Sequence, residues 1–210
     1  MAKANDFANV AAAGERVFRL YRDHCVAPTE DTLFGLLEAS HSLNDRLKVG
    51  AELDFFDFHE FAALKCLRNF FHHQQELQHA VKFIPAAGYP VISDLAVLCL
   101  VPRKMVDAAI TATAARYRPD IEHACQKVFH WYGPVVNINP AIFNFMVAVY
   151  ERLTGAAIPM NGKAFLDFAA SYRYEQERGL PHMIDGRLSA HAGNVDQLLR
   201  DIIAAAGQQP

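Results

Sequence analysis

The densest run of side chains able to do chemistry is Leu67 to His79, LRNFFHHQQELQH. On a helix, which turns about 100° per residue, Arg68, His72, Glu76 and His79 fall within one narrow sector, with His73 to one side. Leu67, Phe70 and Phe71 are left to cover the core side. The run then holds a guanidinium and several imidazoles on a rigid support, which is what catalysis needs. A second grouping of the same residues is a metal set. His72, Glu76 and His79 are spaced four and three apart, so imidazole and carboxylate converge on one zinc or iron ion. Helical bundles build such sites between helices, and His41, His59 or Glu60 are the residues that would complete it. A third reading has no chemistry, because Gln74, Gln75, Gln78 and Lys82 make an ordinary solvated helix face in which histidines need no role.

The segment Leu67-Arg68-Asn69-Phe70-Phe71-His72-His73 resembles the signature of the HEPN family, in which an Arg, usually followed by a polar residue, precedes a His by four to six intervening positions late in a helical bundle. Arg68, Asn69 and His73 match the Arg, polar and His positions, with four residues between the ends. The apolar turn before the motif, LKCLRN, agrees as well. The resemblance implies an all-α fold, a HEPN-like antiparallel helical bundle, here with additional C-terminal helices. It also implies a homodimer that brings two copies of the motif together, and in many members a metal-independent endoribonuclease. Other members are catalytically silent.

The residue types suit that chemistry. Cleavage of RNA by its own 2′-hydroxyl needs a group that moves a proton and a fixed cation that stabilises charge growing on the phosphorane. His73 is the proton carrier, Arg68 holds the scissile phosphate by forked hydrogen bonds, and Asn69 orients the phosphate or the imidazole. The product is a 2′,3′-cyclic phosphate. On an undistorted helix Arg68 and His73 diverge by about 140°, so His72, one turn after Arg68, stays open as the functional histidine. This reading requires no cofactor and no metal. Its partners are RNA, a second copy of the chain and, for a toxic or defence component of a bacterial system, an antitoxin or a nucleotidyltransferase-like protein. The alternatives are a non-catalytic helical module that binds a protein partner, and a helical metal protein using His72, Glu76 and His79.

Other candidates are His182, Asp185, Arg187 and His191 in the Gly-containing stretch RGLPHMIDGRLSAHAG, set against its reading as a polar connector. His123 and His130, beside Trp131 and Tyr132, suit the edge of a core. Tyr172, Arg173 and Tyr174 have the types that stack on bases, and equally the spacing of packing residues. No Gly-rich phosphate loop, serine nucleophile elbow or HExxH motif is present, which excludes the commonest enzyme classes.

The elements that must position these residues are helices. Phe7, Val10, Ala11, Phe18 and Tyr21 predict an amphipathic helix over 6–23. Thr29 or Thr32 caps a second, carried by Leu33, Leu36, Leu37, Leu43 and Leu47 and stopped at Gly50, and the two form an antiparallel pair. Asp57 caps a third helix, which runs through the motif to about Phe83 and closes at Pro85. VISDLAVLCLV reads as a buried helix or a strand, with a short helix preferred. Pro102 opens a helix to Tyr117, Pro119 opens another reaching Trp131, and GPVVNINP is a loop. Helices over 140–153, 162–177 and 194–206 complete the chain. One domain over 1–210 is expected, with a motif-bearing bundle in 1–117 and a helical extension in 118–210.

Composition sets the outer bounds. An apolar share of 52% with 20% charged residues permits a sizeable core and excludes general disorder. Cys25, Cys66, Cys99 and Cys125 show no CxxC spacing and read as thiols of a reducing compartment. The N-terminal segment lacks a signal-peptide layout, and Val91 to Val101 is about half the length of a membrane span, so a cytoplasmic protein without a membrane is expected. A formal net charge of −3 excludes coating of nucleic acid by bulk electrostatics and leaves room for a local RNA site.

Overall fold

The computed structural model describes residues 2–73, 81–86, 89, 93–189, 197, 198, 200, 201 and 204. They form seven helices and four short strands: α1 (Ala2–Val26), α2 (Glu30–Ala51), α3 (His59–His73), β1 (Lys82–Pro85), β2 (Val97–Pro102), α4 (Arg103–Ala112), α5 (Arg118–Val128), β3 (His130–Tyr132), β4 (Val135–Asn137), α6 (Asn139–Gly155) and α7 (Lys163–Arg178). The predominance of helix agrees with the sequence reading. The sheet does not, and it is the main correction to an all-helical bundle.

The chain divides into two compact units, one of residues 1–61 and 144–183, the other of 62–143 and 184–210. The second takes in residues on both sides of position 117. In the first unit, α1 and α2 pack as an antiparallel pair, because Gly50 at the end of α2 meets Val10 and Asp6 near the start of α1, while His24 at the end of α1 bonds Thr32 at the start of α2. Thr29 caps α2 through a reciprocal box with Thr32. Gly50 does not stop the helix. It lies inside α2 where a Cβ would crowd Val10, and Glu52 takes the left-handed turn, with φ at 57°. Phe55, Phe61 and Phe145 pack ring to ring at 5.3–5.8 Å, and a second aromatic group joins Phe18, Phe165 and Phe168.

In the second unit the strands run in the order β1-β2-β4-β3, all antiparallel. The apolar run that reads as a short helix instead supplies β2, which is buried from Leu98 to Pro102. Leu98 and Leu100 join Leu95, Val135 and Leu198 on one face, and strand alternation sends Cys99 and Val101 to the other. A strand covered on both faces loses its period-two signature, so the sequence cannot distinguish it from a buried helix. The expected GPVVNINP loop is half strand. Gly133, with φ at 60°, and Pro134 form the two-residue turn of a β3–β4 hairpin, in which Tyr132 pairs Val135.

The helices beside the sheet are shorter than predicted. α3 cannot reach Phe83, because Lys82–Pro85 is β1 and Pro85 pairs with Val97. α4 ends at Ala112 and not Tyr117, and α5 ends at Val128, with His130–Tyr132 given to β3. Asn137, fully buried, accepts the N–H groups of Cys99 (3.0 Å) and Asn139 (3.2 Å) through Oδ1, tying β4 to β2 and to the start of α6. The helix expected over 194–206 lies largely outside the described residues, as do Gln74, Gln75 and Gln78.

Candidate functional site

α3 carries the motif, and its sequence explains how. Leu64, Leu67, Phe70 and Phe71 are buried at helical spacing, which fixes the rotation of the last two turns. Arg68 and Asn69 are then half-buried at the edge of that face, while His72 and His73 in the final turn are exposed.

Arg68 Nη1 donates to Asn69 Oδ1 at 3.2 Å, so the two residues matched to the motif contact each other directly. The rings of His72 and His73 meet edge to face, with centroids 4.7 Å apart and planes at 90°. Arg68 and His72 lie one turn apart on the same side of α3 and His73 lies round the helix from Arg68, as helical phase requires. The end of α3 therefore presents two adjacent imidazoles, one of them aligned with a partly sheltered guanidinium. Such a set can hold a phosphate and exchange protons beside it.

The alternative metal set is only partly within view. Glu76 and His79 lie outside the described residues, and no group of three His, Cys, Asp or Glu among the described residues is arranged to hold a metal ion. His59 and Glu60 stand in the first turn of α3 and His72 in the last. His41 Nδ1 lies 3.7 Å from Asp45 on its own helix.

The other sequence candidates are redistributed. His182 and Asp185, read together from one loop, belong to different units. His182 folds back on α7 after the left-handed cap at Gly179. Its Nδ1 lies 2.9 Å from Glu175 Oε2, and its ring stacks on Tyr172 with centroids 3.6 Å apart. The Tyr172 hydroxyl donates to Glu151 at 2.7 Å, and burial together with that carboxylate pushes the phenol up to about 12. Arg178 sits 3.6 Å over the Tyr174 ring, so each of these two tyrosines already has a ring face covered by a side chain of its own unit. Asp185 instead belongs with Asp94 and His130. Asp94 Oδ2 accepts the N–H groups of Asp185 (2.9 Å) and Gly186 (3.2 Å), and burial lowers the His130 imidazole against the opposing pull of both aspartates. Arg187 pairs with Asp185 at the surface, and His191 lies outside the described residues. His123 is exposed on α5.

Sequence reasoning missed the His182–Glu175 contact, although Gly179 after a run ending in Arg178 is a legible stop signal that turns the chain back on its helix. It had no signal for the Asp94 contact, which joins residues more than ninety positions apart. Compared with protein-family models, with curated proteins and with solved structures, the chain has no match. Among the described residues, no helix is long and apolar enough to cross a membrane.

Proposed function

We propose that the chain is a HEPN-like, metal-independent endoribonuclease, a toxic or defence component, with its active groups at the end of α3. One observation carries the reading: the Asn69-bound Arg68 lies one turn from an exposed pair of imidazoles in van der Waals contact. In this scheme His73 takes the proton from the 2′-hydroxyl, whose oxygen attacks phosphorus. The bond from phosphorus to the 5′-oxygen breaks, and a protonated imidazole, His72 or its counterpart in a second copy of the chain, supplies the proton to that leaving oxygen. Arg68 neutralises the phosphorane by forked hydrogen bonds. The products are a 2′,3′-cyclic phosphate and a 5′-hydroxyl end. A homodimer would place two such sets side by side.

The test is cleavage of a defined RNA in EDTA by untagged protein, with the ends identified by mass spectrometry. Arg68→Ala and His73→Ala should each lower the rate by about 10²-fold or more, the scale of positioned acid–base catalysis. Parent-like cleavage by both variants refutes the assignment, and activity that vanishes in EDTA and returns with zinc transfers the site to metal. The four-stranded sheet departs from an all-helical bundle, and a second reading sets catalysis aside. There the helices bind a protein partner, such as an antitoxin or a nucleotidyltransferase-like protein, without cleaving RNA. A co-purified partner with no nuclease activity is the outcome that supports it.

A further inference from the structure

In the unit built on α1 and α2, cations gather on one surface. Arg16, Arg19 and Arg22 follow at three-residue steps along α1, and all three are exposed. Two shallow grooves meet at Ala12 and Arg16. One, of about 330 Å³, runs between α1 and the start of α7 and includes Arg19, Arg22 and Lys163; the other, of about 200 Å³, runs between α1 and α2 and includes Arg46. Five of the chain's 20 Lys and Arg residues thus line two joined grooves in a protein of net charge −3.

Their own unit neutralises only some of that charge. Arg22 pairs with Asp23 at 3.0 Å and Lys163 with Asp167 at 2.8 Å. Arg16, Arg19 and Arg46 form no ion pair among the described residues. The carboxylate lining the grooves, Glu15, is engaged elsewhere: its Oε1 accepts the N–H groups of Asn161 and Gly162, both at 2.7 Å, where α7 begins. Glu15 thus occupies the two amides just ahead of α7, and the guanidinium groups supply the attraction for an anion.

We infer that these joined grooves bind the phosphodiester backbone of single-stranded RNA. A compact single phosphate is held by converging backbone amides, and two at this end of the groove, those of Asn161 and Gly162, are already taken by Glu15. Docking on an anionic membrane needs large apolar side chains beside the basic ones, whereas the apolar lining is Ala12, Ala13, Ala39 and Ala164. Among the described residues no aromatic ring lines either groove, so contact is with phosphates and not by base stacking. Arginines at successive three-residue steps of α1 are about 4.5 Å apart along the axis, an elongated array suited to an elongated polyanion. The choice of RNA rests on the ribonuclease reading; the anion groove itself does not.

Binding and cleavage are therefore measured separately. The full chain is titrated against a fluorescein-labelled, uncleavable 2′-O-methyl oligonucleotide, followed by anisotropy at 50 and 150 mM KCl. Three unpaired guanidiniums give a salt slope of about −2, so affinity should fall about tenfold between the two salts. R16Q/R19Q/R46Q should weaken binding at 50 mM by about tenfold or more and flatten the slope, with an unchanged melting temperature, and R16K/R19K/R46K should recover most of the loss. Parent-like binding by the Gln variant overturns the inference, as does binding to phosphatidylserine vesicles or inorganic phosphate without binding to the oligonucleotide. A protein that binds through the grooves yet cuts no RNA leaves this site standing and removes the α3 assignment; cleavage without groove-dependent binding does the reverse.

Discussion

Acidification should destabilise the α1–α2 pair through one residue, His24. It is 3% exposed, and burial lowers its pKa to about 4 from an ordinary 6.5. Its Nδ1 lies 2.9 Å from Thr32 Oγ1, which donates its own proton to the Thr29 carbonyl and accepts the Thr29 N–H. The Thr29 hydroxyl also donates to Thr32 Oγ1, at 3.3 Å, so His24 is tied into the hydrogen-bonded cap of α2. Above pH 6.5 the imidazole is neutral folded or unfolded, and the linkage vanishes. Between pH 6.5 and 4 the unfolded chain takes up a proton that the folded chain refuses, so stability falls with falling pH; below 4 both states are charged and the loss levels off. Two and a half units correspond to about 3 kcal/mol in full, and about 2 kcal/mol is lost between pH 7 and pH 5, before most carboxylates titrate. That is a large share of the roughly 5–15 kcal/mol of a typical domain. Urea unfolding at pH 7, 6 and 5 on the parent and on His24→Gln measures it. The variant should start less stable and lose about 2 kcal/mol less over that interval. Identical pH slopes would refute the claim that His24 is held neutral by burial.

Two further perturbations probe the scaffold. Asn137→Ala removes the acceptor for the buried N–H of Cys99 and the half-buried N–H of Asn139. At about 1–3 kcal/mol for each stranded donor the loss should be near 3 kcal/mol, which a thermal melt reads as a fall of about 10 °C; a drop under about 2 °C would mean that the amide is not the link between β4 and β2. Gly162→Ala and Gly155→Ala form a contrasting pair. A Cβ at Gly162 would collide with the Glu15 carboxylate, which accepts the Asn161 and Gly162 N–H groups just ahead of α7, whereas nothing lies within 4 Å of one at Gly155. The first should cost about 2 kcal/mol and the second should gain about 0.5 kcal/mol from the stiffer unfolded chain, an ordering that chemical denaturation checks directly.

The helices that pack one apolar face were legible from their spacing. In α2 the period of Leu33, Leu36, Leu37, Leu43 and Leu47 and the Thr29 cap both correspond to what the fold uses. The sheet was not, for two separate reasons. β2 is buried on both faces, so alternation carries no information, and only the neighbouring strands decide that Val97–Pro102 is extended. The β3–β4 hairpin did leave a trace: aromatic His-Trp-Tyr and β-branched Val-Val flank a Gly-Pro pair, a two-residue hairpin pattern. Reading GPVVNINP as a loop weights its Gly, Pro and Asn residues too heavily. Two of those residues act within the sheet, Gly133 by a left-handed turn and Asn137 by bonding across it. Long-range contacts such as Asp94 with Asp185 have no local signature at all, because nothing in the intervening chain specifies which loop returns to which strand.

At the candidate site, helical phase and the motif disagree over the histidine. Phase groups Arg68 with His72, and the motif groups it with His73. The contact between the two rings changes the question, since imidazoles with centroids 4.7 Å apart at right angles point their nitrogens in different directions from one spot on α3. Internal transesterification uses two such groups, because one proton leaves one oxygen of the reacting phosphodiester and another arrives at a second. Under the proposed scheme the two histidines are complementary and not competing: the one in phase with Arg68 stays near the phosphate, and the one beside it reaches across. The two single alanine variants then report different steps. A variant that lacks the proton donor regains rate on substrates with a better leaving group than the 5′-oxygen, and a variant that lacks the base does not. Rescue confined to His72→Ala assigns the roles as proposed, rescue confined to His73→Ala reverses them, and rescue of neither excludes a divided acid–base pair on one α3.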